Sequence, residues 1–215
     1  MVYILIAATF CGVLLSGVWF GLRTVVEIIA NRTKIKCFST FSVVISAIIP
    51  LIIIFKYYNL YWLNYKSIVD WKNWLLVLAV VGVTSVIISV NKQNGDLKGL
   101  DLFKYAIDGI FMEIPQRLMM QTFVCLLLSI WNMNIYFSVP ITAIIWCMSI
   151  CIQYIILRIK FDSVLLYEVL ASFVFSIGVG YVLIKTEFIG FTMIAHFMER
   201  MLSTMIRKKR YNAKL

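Results

Sequence analysis

Seven times along the chain, apolar residues run on for about the length of a helix and then give way to a short polar stretch. The runs lie near 2–22, 38–56, 73–91, 105–130, 135–157, 163–184 and 188–206. A helix needs about 20 apolar residues to cross a hydrocarbon core about 30 Å thick, and each run is close to that length. The pattern predicts an all-α, polytopic helical membrane protein. It has about seven transmembrane helices in one bundle, and residues 1–215 form a single transmembrane domain. Only three prolines and ten glycines interrupt it. No long polar segment, repeat or low-complexity stretch suggests a second module.

Composition points the same way. A chain that is 62% hydrophobic with a mean hydropathy of +0.94 has more apolar surface than a soluble domain of 215 residues can bury. The first run has no basic segment before it and no evident small-x-small cleavage site, so it reads as a transmembrane helix rather than a signal peptide. The five cysteines lie in or beside apolar runs without a CxxC spacing, and read as small buried residues rather than a disulfide framework.

The charges set the orientation. Alternate linkers, from 23–37 to the tail 207–215, hold fourteen Lys and Arg. The opposite set holds four: Lys56, Lys66, Lys72 and Lys185. Basic loops stay in the cytoplasm, so the N-terminus is expected outside and the C-terminus inside, in a bacterial plasma membrane. The net charge of +10 is then mostly a topology signal. The tail Arg207-Lys-Lys-Arg210 meets anionic lipid, at about 1 kcal/mol per charge, and nucleic acid is not an expected partner. The linker 57–72, rich in Tyr and Trp, reads as an interfacial belt with a short helix on the outer surface.

Against this background two runs carry polar groups at membrane depth. In the fourth, Gly109-Ile-Phe-Met-Glu-Ile-Pro-Gln-Arg-Leu-Met-Met-Gln121 places Glu113 and Arg117 four residues apart. A lone charge there costs about 2.5–3.5 kcal/mol on insertion scales, and i, i+4 spacing lets the two pair. Gln121 continues their face and Gln116 flanks it. Pro115 lacks an N–H, so the carbonyl of Phe111 loses its helical partner and a kink is expected. In the seventh run the only histidine, His196, shares a face with Arg200, with Glu199 beside them. A membrane histidine is a proton-handling or ligand candidate. The fifth run adds Ser149 and Gln153, and the sixth adds Glu168 and the pair Gly178 and Gly180, suited to close helix packing. Cys147 and Cys151 with His196 make too small a donor set for a metal, so neither metal nor other cofactor is expected.

The two polar helices, in this order, resemble the CAAX protease and bacteriocin-processing family of intramembrane proteases, also called CPBP or Abi. The family's first motif is Glu-Glu, three residues, then Arg; Met112-Glu113-Ile-Pro-Gln-Arg117 is similar, with Met112 in place of the first Glu. Its last motif, His, three residues, then Asn, follows a Gly-rich helix and a Thr-containing turn. The stretch Gly178 to His196 has that layout, with Arg200 in the Asn position. The middle motif is Phe, three residues, then His, and here Gln153 is the nearest polar substitute. The resemblance covers about residues 70–206. It implies Glu113 and Arg117 as scaffold and charge and His196 as oxyanion donor, with Gln116, Gln121, Gln153, Glu199 and Arg200 lining the pocket. It also implies that both groups that activate water in the family are missing, and a positioned base is worth about 10²–10⁴-fold.

The expected function is therefore a degenerate homologue that binds a peptide or membrane-protein partner, as in bacteriocin immunity, maturation or regulation. The alternative is an active glutamate-dependent endopeptidase. A third reading, a membrane scaffold or transporter-like protein, treats the buried charges as structural. Glu113, Arg117, Gln153 and His196 lining one cavity would favour the first two; charges paired off without a cavity would favour the third.

Overall fold

The computed structural model describes residues 1–35, 40–58, 62–90, 99–156, 158 and 163–212, without the side chains of 89, 90, 164 and 207–212. Among these the fold is helical throughout, apart from one isolated β-bridge between Leu63 and Phe188. In chain order the helices are α1 Val2–Thr33, α2 Ser42–Tyr57, α3 Trp71–Val90, α4 Leu100–Glu113, a π-helical segment Ile114–Gln121, α5 Thr122–Ile130, α6 Ser138–Ile156, α7 Ser163–Thr186 and α8 Ile189–Asn212. α4, the π segment and α5 follow one another without a break.

Among the described residues four helical stretches are long and apolar enough to cross a membrane: Val2–Thr33, Trp71–Ile88, Ile135–Ile156 and Leu165–Thr186. α2 is apolar but shorter, at 16 residues. The two remaining runs, α4 through α5 and α8, carry the costly polar groups in their middles. They are shielded by their neighbours: α4 packs along α8, and α3 packs on α7 and α8.

Several boundaries differ from those expected. α1 continues eleven residues past position 22, because Arg23 and Glu27 form an i, i+4 ion pair at 2.8 Å that favours continued helix. At 1.5 Å per residue its 32 residues span about 48 Å, more than the hydrocarbon core. α8 likewise carries the basic tail on as helix to Asn212. Of the charges that set the orientation, Lys36, Lys92, Lys98, Lys160 and Lys214 lie outside the described residues, as do the side chains of Arg207 to Arg210.

The linker 57–72 holds a 3₁₀ turn at Tyr65–Val69, with Tyr57 and Tyr65 exposed, while Asn59, Leu60 and Tyr61 of the aromatic stretch lie outside the described residues. Trp62 departs from the expected interfacial belt. It is only 2% exposed, its indole Nε1 donates to Thr122 Oγ1 at 2.8 Å, and its carbonyl accepts from Ile189 N. A tryptophan N–H is normally partnered when buried, and this one clips the linker to α5 and to the turn before α8.

Of the three apolar clusters among the described residues, two fill opposite parts of the bundle. One joins α1, α2, the π segment, α5 and α6 around Trp19, Met119, Leu128 and Ile145. The other joins α3, α7 and α8 around Val77, Val81, Phe175 and Phe191. The polar residues of the central run lie between them. Gly178 permits the α3–α7 contact, since a Cβ there would meet both γ-methyls of Val80 at 2.6 Å. The four described cysteines are free thiols, and Cys125 Sγ contacts Ser138 Oγ at 3.2 Å.

Candidate functional site

Pro115 shapes the site. Without an N–H it cannot continue the ladder, and the Ile114 N–H turns back to the carbonyl of Phe111. That carbonyl therefore has a backbone donor in place of the helical partner that proline removes. At the proline the backbone takes a wide π turn from Ile114 to Gln121. Pro115, Gln116, Arg117, Met119, Met120 and Gln121 are all buried in this turn.

Glu113 and Arg117 stand one turn apart with their side chains 0% and 1% exposed, and Arg117 Nε lies 3.4 Å from Glu113 Oε2. At that distance the contact is an ion pair rather than a hydrogen bond, and neither atom has a hydrogen-bond partner among the described residues. The rest of the guanidinium is held more tightly. Nη1 donates to Gln121 Oε1 at 3.1 Å and Nη2 to Ser176 Oγ at 2.8 Å, while Gln121 Nε2 donates to the Gly180 carbonyl at 3.0 Å. Gly180 allows this approach: a Cβ there would stand 3.2 Å from Gln121 Oε1 and 3.3 Å from Arg117 Nη1. The network is a buried strut between the π segment and α7, in which the fork of arginine is matched by several fixed acceptors.

His196 comes to the same carboxylate from α8. Its Nδ1 lies 2.6 Å from Glu113 Oε1. A carboxylate only accepts, so Nδ1 carries the hydrogen and Nε2 is the ring nitrogen left for other work. Phe175 packs edge-on to the imidazole with ring centroids 4.9 Å apart. Gly109 on α4 makes room for α8, since a Cβ there would meet His196 Cδ2 and Arg200 Cδ at 3.0 Å.

Beyond His196 opens a cavity of about 400 Å³. Gln116, Gln153, Glu199 and Arg200 line it, as expected. Gln121, Glu113 and Arg117 do not. They lie behind its wall, because their polar atoms are engaged by one another and by α7. The expected single cavity containing Glu113 and Arg117 is thus replaced by two layers, with His196 and Ser176 belonging to both. The lining runs from the middle of the bundle, at Gln116, Trp146, Ser176 and His196, toward the ends of α3, α6 and α7 that lead into the linkers 91–98 and 157–162.

Other candidates fall elsewhere. Ser149 pairs with Ser16 Oγ at 3.0 Å, away from the cavity. Asp108 is exposed. Among the described residues no group of three or more His, Cys, Asp or Glu is placed to hold a metal ion.

Sequence reasoning missed Ser176 and Tyr154. Ser176 lies eight residues after Glu168, a spacing that keeps it near the same face of α7. Tyr154 donates to Glu168 Oε2 at 2.6 Å, and nothing in the spacing of α6 against α7 revealed that partner.

No family model, no curated protein and no solved structure matches the chain.

Proposed function

We propose that the protein is a seven-span membrane protein of CPBP-like design that binds a peptide or membrane-protein partner in the cavity beside His196 and does not cleave it. One observation carries this reading. Glu113, the acid the family pattern supplies, has its two oxygens turned to His196 and Arg117, and its side chain is 0% exposed. A general base needs hydrogen-bond reach to the water it activates, and Glu113 is walled off from the cavity. Its physical role is to orient His196, which keeps Nε2 as a polar anchor for a bound peptide. A role in immunity, maturation or regulation follows from binding without turnover. The runner-up is a slow endopeptidase, favoured by the same Glu113–His196 contact: a carboxylate on Nδ1 holds an imidazole in the tautomer a base requires.

In the proposed orientation the cavity lies toward the cytoplasmic ends of the helices. Lys66→Cys and Lys104→Cys test this in a cysteine-free background. A membrane-impermeant thiol reagent applied to intact cells is expected to label position 66 and to reach 104 only after permeabilisation. Labelling of position 104 from outside overturns the topology.

The function itself is tested by incubating the purified protein with membrane-anchored and prenylated peptides and measuring peptide mass. Retention of a peptide at its full mass is expected. Release of a fragment that disappears in Glu113→Ala favours the endopeptidase instead.

A further inference from the structure

The neutral polar groups at the inner end of the cavity lack the partners that such groups have elsewhere in the bundle. Thr9, Thr142 and Thr186 each turn the hydroxyl back to the carbonyl one helical turn earlier, at 2.8 Å. Thr84 on α3 does not. It is 1% exposed and lines the cavity, and its Oγ1 has no hydrogen-bond partner among the described residues. Gln116 lines the same cavity while buried, and its side-chain amide makes no hydrogen bond among the described residues. His196, with its hydrogen on Nδ1 toward Glu113, offers Nε2 as an acceptor in the neutral ring. Ser176 Oγ accepts from Arg117 and keeps its own hydrogen to donate.

These groups come from four elements yet lie at a similar depth. The chain before α3 is bridged to the turn after α7 at Leu63 and Phe188, so α3 and α7 run antiparallel, and Val80 packs on Gly178. Thr84, one turn past Val80, therefore falls beside the turn of α7 that holds Phe175 and Ser176. Phe175 packs on the His196 ring, and Gln116 is next in the chain to Arg117, which bonds Ser176. A buried hydroxyl or amide without a partner is costly, so an occupant that bonds these groups is favoured over an apolar one.

Together they match a peptide main chain. The Gln116 amide presents a donor and an acceptor side by side, and one residue of an extended strand offers its N–H and C=O to the same side. Thr84 and Ser176 add donors for carbonyls, and His196 adds an acceptor for an N–H. From this juxtaposition we infer that the inner end of the cavity holds the main chain of the bound peptide in extended form, with the N–H and C=O of one residue paired to Gln116. It rests on the peptide-binding reading of the cavity. An intact helix suits the cavity poorly, because its backbone groups already bond one another. One turn of a helix 10–12 Å across also fills about 500 Å³, more than the cavity's volume of about 400 Å³. A helical membrane segment therefore has to unwind locally to enter.

The experiment uses the full chain in lipid nanodiscs, titrated calorimetrically with three kinds of ligand. These are a capped alanine pentapeptide, a series in which each amide between its residues is replaced in turn by an ester, and a peptide of the same length closed into a helical turn by an i, i+4 hydrocarbon staple. The linear peptide is expected to bind and the stapled one not to. At least one ester is expected to weaken binding by about five-fold or more, the change that leaving a buried group unpaired produces. Gln116→Leu and Thr84→Val are each expected to weaken the linear peptide by a similar factor. Thr84→Val is also expected to hold or raise the thermal midpoint of the empty protein, since it replaces an unpartnered buried hydroxyl with a methyl group.

Equal affinity for the linear peptide and every ester, unchanged in both variants, overturns the main-chain inference and leaves peptide binding standing. Binding of the stapled peptide as tightly as the linear one overturns the extended form. A lower midpoint in Thr84→Val with unchanged affinity assigns that hydroxyl to the fold and overturns its place in the site. Binding of neither the linear nor the stapled peptide overturns both the inference and the peptide-binding reading.

Discussion

Glu113→Ala is expected to destabilise the protein by about 3–5 kcal/mol, the range for removing one partner of a buried ion pair. The variant leaves Arg117 charged at 1% exposure and strips His196 of the group on its Nδ1. Gln121 and Ser176 still accept from the guanidinium, but neither carries a compensating charge. Removing both charges together is expected to cost less than removing Glu113 alone, because the double variant buries no uncompensated ion. Chemical unfolding in mixed micelles of Glu113→Ala, Arg117→Ala and the double variant makes the comparison. A double variant at least as unstable as the worse single variant means that the pair is not what stabilises this layer.

The second large effect concerns the missing first glutamate. Met112→Glu restores the family's Glu-Glu pair in sequence, yet it is expected to fail in structure. Met112 packs against the apolar cluster of α1, α2, α5 and α6 and is not among the residues that line the cavity. A carboxylate there enters apolar surroundings at a cost of about 2.5–3.5 kcal/mol. Combined with Gln153→His, the substitution is therefore expected to lower the unfolding midpoint and leave hydrolysis of a membrane-anchored peptide at background. Hydrolysis that rises with an unchanged midpoint would show that position 112 reaches the cavity after all.

Much of the arrangement was legible before the structure. Glu113 and Arg117 announced a buried pair because i, i+4 spacing in an apolar run leaves them few alternatives, and they lie 3.4 Å apart. His196, which the sequence marks as a proton-handling or ligand candidate, reaches Glu113 at 2.6 Å. Spacing could not say which polar groups face a void and which face each other. The shared face of Glu113, Arg117 and Gln121 is legible in the spacing, and Gln121 closes onto the Gly180 carbonyl; that Gln116, on the flank, borders a cavity is not legible, because spacing along one helix does not show where its neighbours leave a void. Proline predicted a disturbance of the ladder but not its form, a π turn whose preceding Ile114 N–H bonds the Phe111 carbonyl. Trp62 was hidden for a different reason. An aromatic-rich linker suits the membrane interface on composition alone, and only the approach of Thr122 and Ile189 turns that side chain inward.

The central claim is that the cavity holds a peptide and leaves it whole. A photo-crosslinking amino acid at position 153, in the cavity wall, tests this most directly. The protein is irradiated in native lipid with a membrane-anchored peptide, and the adduct is weighed intact. The expected mass is that of the protein plus the entire peptide, unchanged however long the two are incubated before irradiation. An adduct carrying a truncated peptide, accumulating with incubation and absent when Glu113 is replaced, would contradict the account and establish an endopeptidase in its place.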